Sequence, residues 1–127
     1  MGTTVRKIFD LSAAILFEYY GGDADFVQYS PAFLERMLQE ALPYENTIRQ
    51  YRGMAELASA PEITAIDETV LDWDDAICRN ALVHGLASAL MADDNQKRAE
   101  AIMEYNKFVQ ALEDATPAIA GYDDETD

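Results

Sequence analysis

The chain holds one cysteine, Cys78, and one histidine, His84, so any thiol or imidazole chemistry must run through these two residues. A Cys-His couple needs its members within hydrogen-bond reach. Positions 78 and 84 fall on one helix but on different faces. Cys78 therefore reads as a small buried residue and His84 as a hydrogen-bonded or exposed side chain. Carboxylates are abundant: Asp23 with Asp25, Asp67 with Glu68, Asp72 with Asp74 and Asp75, Asp93 with Asp94, and Asp123 with Asp124 and Glu125. None has the ligand order and glycine of a calcium loop, and none is joined to the histidine for a transition metal. Helix capping explains the Asp72 and Asp94 groups, and solvation most of the others. Phosphate loop, dinucleotide fingerprint and nucleophile elbow are all missing from the sequence. No catalytic residue, metal or cofactor is expected, and the chain does not read as an enzyme.

Residues suited to binding are fewer. Arg49 and Arg52, joined by Arg36, would form one small positive patch, and Ile119 and Tyr122 supply two apolar anchors in an otherwise acidic C-terminal stretch. These are the candidate protein-interaction residues. Aromatic side chains can stack on single-stranded nucleic acid, but such surfaces come with a basic groove. Here 24 acidic residues stand against 9 basic ones, and the formal charge is -15. Binding to phosphates depends on Lys and Arg displacing counterions, so neither tight nucleic-acid binding nor an anionic membrane surface is expected.

These residues need a scaffold. With 127 residues, half of them hydrophobic, the chain has room for one domain, and about two thirds of its unfolded surface can be buried without disulfides or metal. A lone cysteine cannot bridge within the chain, which is compatible with a reducing compartment. The apolar stretch near the start is interrupted by Asp10 and Glu18, so neither a signal peptide nor a membrane span is expected.

Apolar residues at spacings of three and four predict a first helix over residues 4–20, stopped by Gly21-Gly22. Ser30-Pro31 reads as the start of a second helix, Ser as cap and Pro in the first turn. Phe33, Leu34, Met37, Leu38, Ala41 and Leu42 form its buried stripe, and Pro43 ends it. The alternative is a start nearer Asp25 with a kink at Pro31. A short helix over residues 45–52, closed by Gly53, carries Ile48 and Tyr51. Residues 54–71 lose helical spacing and predict an irregular extended strap, with a weak strand pair over 62–66. Asp72 is expected to cap a third helix opened by Trp73 and running to about Ala92. Its polar stripe would be Asn80, His84 and Ser88, and Gly85 would let another helix approach closely. After the turn Asp93-Asp94-Asn95, a fourth helix buries Ala101, Ile102, Tyr105, Phe108, Val109 and Leu112, completing an antiparallel hairpin. The expected fold is all-α: a four- to five-helix bundle with a C-terminal hairpin, forming one domain over residues 1–115. Residues 116–127 follow as a flexible acidic tail or docking arm.

The order of short motifs resembles that of small all-helical proteins encoded among the head and neck genes of tailed phages and prophages, the head-tail connector (adaptor) and head-completion proteins. It is carried by Val5-Arg6-Lys7-Ile8-Phe9, Tyr29-Ser30-Pro31 with Leu34, Leu42-Pro43-Tyr44, Tyr51-Arg52-Gly53, Ala60-Pro61-Glu62-Ile63-Thr64 and Ile66-Asp67-Glu68. It continues through Trp73-Asp74-Asp75, Cys78-Arg79-Asn80-Ala81-Leu82, Gly85-Leu86-Ala87, Leu90, Asp93-Asp94 and Tyr105-Asn106-Lys107-Phe108. The resemblance implies a non-enzymatic virion subunit of the neck, made in the bacterial cytoplasm. It would be one member of a homo-oligomeric ring, expected to be twelve-fold, that touches the portal protein and tail or neck proteins. An acidic lining suits such a conduit, because it repels the phosphates of passing DNA. The other reading of the same acidity is a DNA mimic or inhibitor of phage or prophage origin that occupies a DNA-binding protein.

Overall fold

The computed structural model describes residues 2–21 and 26–117. A two-residue strand β1 (Thr3–Thr4) leads directly into α1 (Val5–Tyr20). The Thr4 hydroxyl caps this helix by accepting from the Lys7 N–H at 3.0 Å, as a β-branched hydroxyl at this position is suited to do. Val5, Ile8, Phe9, Ser12 and Leu16 form its buried face. At its end the chain turns through Gly21 at φ 75°, a conformation that disfavours side chains, and the Gly21 N–H donates to the Phe17 carbonyl.

The second helix differs from the sequence expectation at both ends. It is one continuous α2 (Ser30–Tyr51), with Pro43 inside it. Ser30 is already helical, and its hydroxyl donates to the Phe26 carbonyl at 2.6 Å instead of capping. An interior proline costs about 3 kcal/mol through its missing N–H and its ring. Here the helix continues because the turns beyond Pro43 are anchored: Ile48 is buried and Glu45 and Arg49 pair inside the protein. The expected short helix over 45–52 is thus the last part of α2. Gly53, at φ 73°, reverses the chain, and the Met54 N–H closes on the Arg49 carbonyl at 2.7 Å.

Residues 54–69 form the irregular strap, held by side chains that imitate backbone partners. Asn46 both donates to the Leu57 carbonyl (3.0 Å) and accepts from the Leu57 N–H (2.7 Å). Glu35 accepts from the Ile63 N–H at 2.8 Å, and Arg6 donates to the Ile66 carbonyl at 3.0 Å. Ile63 and Ile66 are buried beneath. The pairing expected over 62–66 occurs elsewhere: β2 (Val70–Leu71) lies antiparallel to β1, Thr3 opposite Leu71 and Thr4 opposite Val70. A Cβ on Gly2 would come within 2.5 Å of Val70 Cγ1 and 2.8 Å of the Leu71 carbonyl oxygen, so the start of the chain passes β2 at a distance only glycine allows.

The third helix starts later than its aspartates suggest. Asp74, not Asp72, accepts from the Ala76 N–H at 3.0 Å, while the Asp72 carbonyl is taken by Arg49. Trp73 is buried ahead of the helix. A π-helical turn (Ile77–Ala81) precedes α3 (Leu82–Met91). The expected polar stripe is not uniformly exposed: Asn80 in the π turn is exposed, while on α3 His84 is half-buried and Ser88 buried. The helix is central, packing against α1, α2 and α4. At Gly85 an added Cβ would meet Phe108 Cδ1 at 2.8 Å and Met37 Sδ at 3.1 Å, which is the close approach expected from the sequence.

Asp94 accepts from the Gln96 N–H at 2.9 Å and opens a 3₁₀ turn (Asn95–Lys97) into α4 (Arg98–Ala115), completing the antiparallel hairpin. The buried residues of α4 are Ala101, Glu104, Phe108, Ala111 and Leu112. Ile102, at 57% exposure, and Tyr105, at 38%, are turned outward instead of into the core. The reason is Glu104, which at 1% exposure takes the inward place between them.

Candidate functional site

The strand-to-helix segment around Trp73 and the last turns of α2 enclose a cleft of about 420 Å³, with Arg49 and Arg52 in its lining. Both belong to the positive patch expected from the sequence, yet they occupy different environments. Arg49 is buried, donates from Nε to Glu45 Oε2 at 2.7 Å, and donates from a terminal nitrogen to the Asp72 carbonyl. The second oxygen of Glu45 accepts from the Asp74 N–H at 2.9 Å. Glu45 and Arg49 thus tie the end of α2 to the start of the third helix. Breaking such a buried pair from one side costs about 3–5 kcal/mol. Arg52 lies at the cleft mouth with its side chain 57% exposed and meets Asp74 Oδ1 at 2.9 Å. Arg36 stands over the Phe33 ring at 5.3 Å. Ile119 and Tyr122 lie outside the described residues.

A second polar centre takes in His84, expected from the sequence to be hydrogen-bonded or exposed, but is built on a glutamate that the sequence does not single out. Glu104 sits inside the bundle and accepts from Tyr19 OH at 3.0 Å and Lys107 Nζ at 3.1 Å, with His84 Nδ1 at 2.7 Å. An ionised carboxylate only accepts, so Nδ1 of His84 carries the proton in this contact. Burial pushes the Glu104 carboxyl up, but the hydrogen bonds from His84, Lys107 and Tyr19 outweigh it and hold the group below the usual range. Burial, then the bond to Glu104, raises the Tyr19 phenol. Nearby, burial and the 2.9 Å bond to Asp94 push Tyr20 up to about 12. The sequence signals for this centre are a glutamate on the apolar stripe of α4 and His84 on the polar stripe of α3; Lys107 is local on α4, but Tyr19 and His84 come from α1 and α3, far away in the chain.

Cys78 is fully buried. Burial, reinforced by the charges of Glu45 and Asp75, pushes its thiol up to about 12, so it is a poor nucleophile at neutral pH. Among the described residues, no group of three or more His, Cys, Asp and Glu is placed to hold a metal ion, and no helix is long and apolar enough to cross a membrane.

A third feature lies on the outside of the hairpin. Arg98, Ala101, Ile102 and Tyr105 share one face of α4 and, with Ser88 and Ala92, line an open groove of about 400 Å³. Tyr105 closes one wall by donating to Glu40 Oε1 at 2.7 Å. Arg98 donates to Asn95 Oδ1 at 3.1 Å. Of the three places, this groove combines an apolar floor with an exposed cation, the arrangement suited to an apolar segment that carries negative charge.

Comparison of the chain with models of known protein families, with curated proteins and with solved structures finds no match.

Proposed function

We propose that this protein is a non-enzymatic virion subunit of the head-tail interface of a tailed phage or prophage, one member of an oligomeric ring between portal and tail. The ring is expected to be twelve-fold, to contact the portal and tail or neck proteins, and to surround the DNA passage without gripping it.

The observation that carries this reading is the disposition of charge on an all-α hairpin fold. The net charge is -15, and eight of the nine basic side chains are engaged by their own chain, Lys7 being the exception. Arg49 pairs with Glu45, Arg52 with Asp74 and Lys107 with Glu104. Arg6 and Arg79 donate to the Ile66 carbonyl and the Thr3 hydroxyl, Arg36 and Lys97 stand over aromatic rings, and Arg98 donates to Asn95. The charge facing solvent is predominantly carboxylate, 24 acidic residues against 9 basic ones, and it repels phosphate and lets a duplex slide. The order of sequence motifs, which resembles that of connector and head-completion proteins, supports the same role.

Electron microscopy of the purified protein mixed with purified portal tests it. The expected result is an added ring of density on the tail-proximal face of the portal. Absence of any complex at micromolar concentrations of both would overturn the proposal, and capture of a DNA-binding protein in competition with duplex DNA would favour the mimic instead.

A further inference from the structure

Scattered apolar residues on a protein surface need no explanation. The groove at the C-terminal end of α3 is different, because Ile102 and Tyr105 flank a floor of Ala92 and Ala101 with Arg98 at the rim. We infer that this groove receives the C-terminal segment of a second copy of the chain, with Ile119 on the apolar floor and the following acidic residues against Arg98.

Two observations select this occupant. The first is complementarity. Beyond Pro117 the sequence offers Ile119 and Tyr122 and then Asp123, Asp124 and Glu125, apolar anchors followed by negative charge. The groove offers an apolar floor followed by a guanidinium. Copies at a net charge of -15 repel one another, so a contact between them gains from matching carboxylates to one of the few cations.

The second is reach. The segment leaves from the far end of α4, whereas the groove lies near its start. About 20 Å of helix separates Ala115 from Ile102 at the rise of an α-helix. Thr116 still donates its N–H to the Leu112 and Glu113 carbonyls, and the extended chain from there to Ile119 covers only about 10 Å. Ile119 cannot therefore fill the groove of its own subunit. A contact from the end of one copy to the groove of the next is head-to-tail, the kind that generates rings when the rotation closes.

The inference rests on the proposed ring only in requiring copies to touch, and its test contains no portal, so each can fail without the other. Full-length protein and two full-length variants, Ile102→Asp and Ile119→Asp, are compared by sedimentation velocity, with circular dichroism to show that all three are folded. Ile102 is exposed, so its replacement does not open the core. The wild-type protein should self-associate. Each variant alone should have its dissociation constant raised about tenfold or more, the loss of one buried aliphatic side chain. The two variants mixed should form a one-to-one dimer, because the intact segment of Ile102→Asp fits the intact groove of Ile119→Asp. A wild-type protein that stays monomeric overturns the inference. So does either variant associating like wild type, or a mixture that yields no dimer.

Discussion

Cys78 and Glu104 are both pushed up by burial, but only Glu104 has hydrogen-bond donors that reverse the shift. With its thiol pushed up to about 12 and no exposure, Cys78 should not react with a disulfide reagent at pH 7 until the protein opens. The reaction rate should therefore follow unfolding when urea is added, and a fast reaction in the native state would show the thiol to be accessible. Glu104 is held below its ordinary 4.5 by its three donors. A carboxyl lowered in the folded state contributes stability above the unfolded value, and that contribution is lost as pH falls through the folded one. Glu104→Gln should thus destabilise the protein by about 1–3 kcal/mol at neutral pH. The gap should narrow as urea unfolding is repeated at pH values descending through and below 4.5. A gap that stays constant with pH would mean that the carboxylate charge contributes nothing.

At the scale of elements, α3 is the helix around which the others are arranged. Leu86 is fully buried on it, and Leu86→Ala should cost about 2–5 kcal/mol, read from the denaturation midpoint. An unchanged midpoint would take α3 out of the core. Within α2, Pro43 lies in a helix kept continuous by contacts on either side of it. The side chain of Pro43 is exposed, so Pro43→Ala removes no packing and restores a missing N–H. The variant should gain up to about 3 kcal/mol in the same measurement. A loss of stability would indicate that the helix depends on the geometry that proline imposes.

For the molecule as a whole, the distribution of charge makes the main prediction. Most of its nine cations are engaged by its own side chains, carbonyls and rings, so few remain to displace counterions from a nucleic acid. The protein should leave duplex DNA unshifted in a gel even at about 50 mM salt, where phosphate contacts are strong. A shift that disappears on raising the salt would reveal a basic surface and remove the acidic-conduit argument. The strap and the small β1–β2 pairing add a further global property: they join the start of the chain to its middle through Val5, Arg6 and Thr69.

Local rules determined much of this protein before any tertiary contact was considered. Thr4 and Gly21 bound α1, the stripe from Leu34 to Ala41 is buried, Gly85 marks a close helix crossing, and Asp94 begins the second arm of the hairpin. Each follows from a capping group, a glycine or a spacing of three and four. Tertiary structure decided the rest where a distant partner outweighed a local preference. Pro43 does not end α2, because Ile48 and the Glu45–Arg49 pair hold the turns beyond it. Asp74 replaces Asp72 as the cap, since Arg49 claims the Asp72 carbonyl across the cleft. Ile102 faces outward and Glu104 inward because Tyr19, His84 and Lys107 provide a buried carboxylate with donors. A buried charge is tolerated only when it is fully partnered, and partners on separate helices are invisible to any reading of one stretch of sequence at a time.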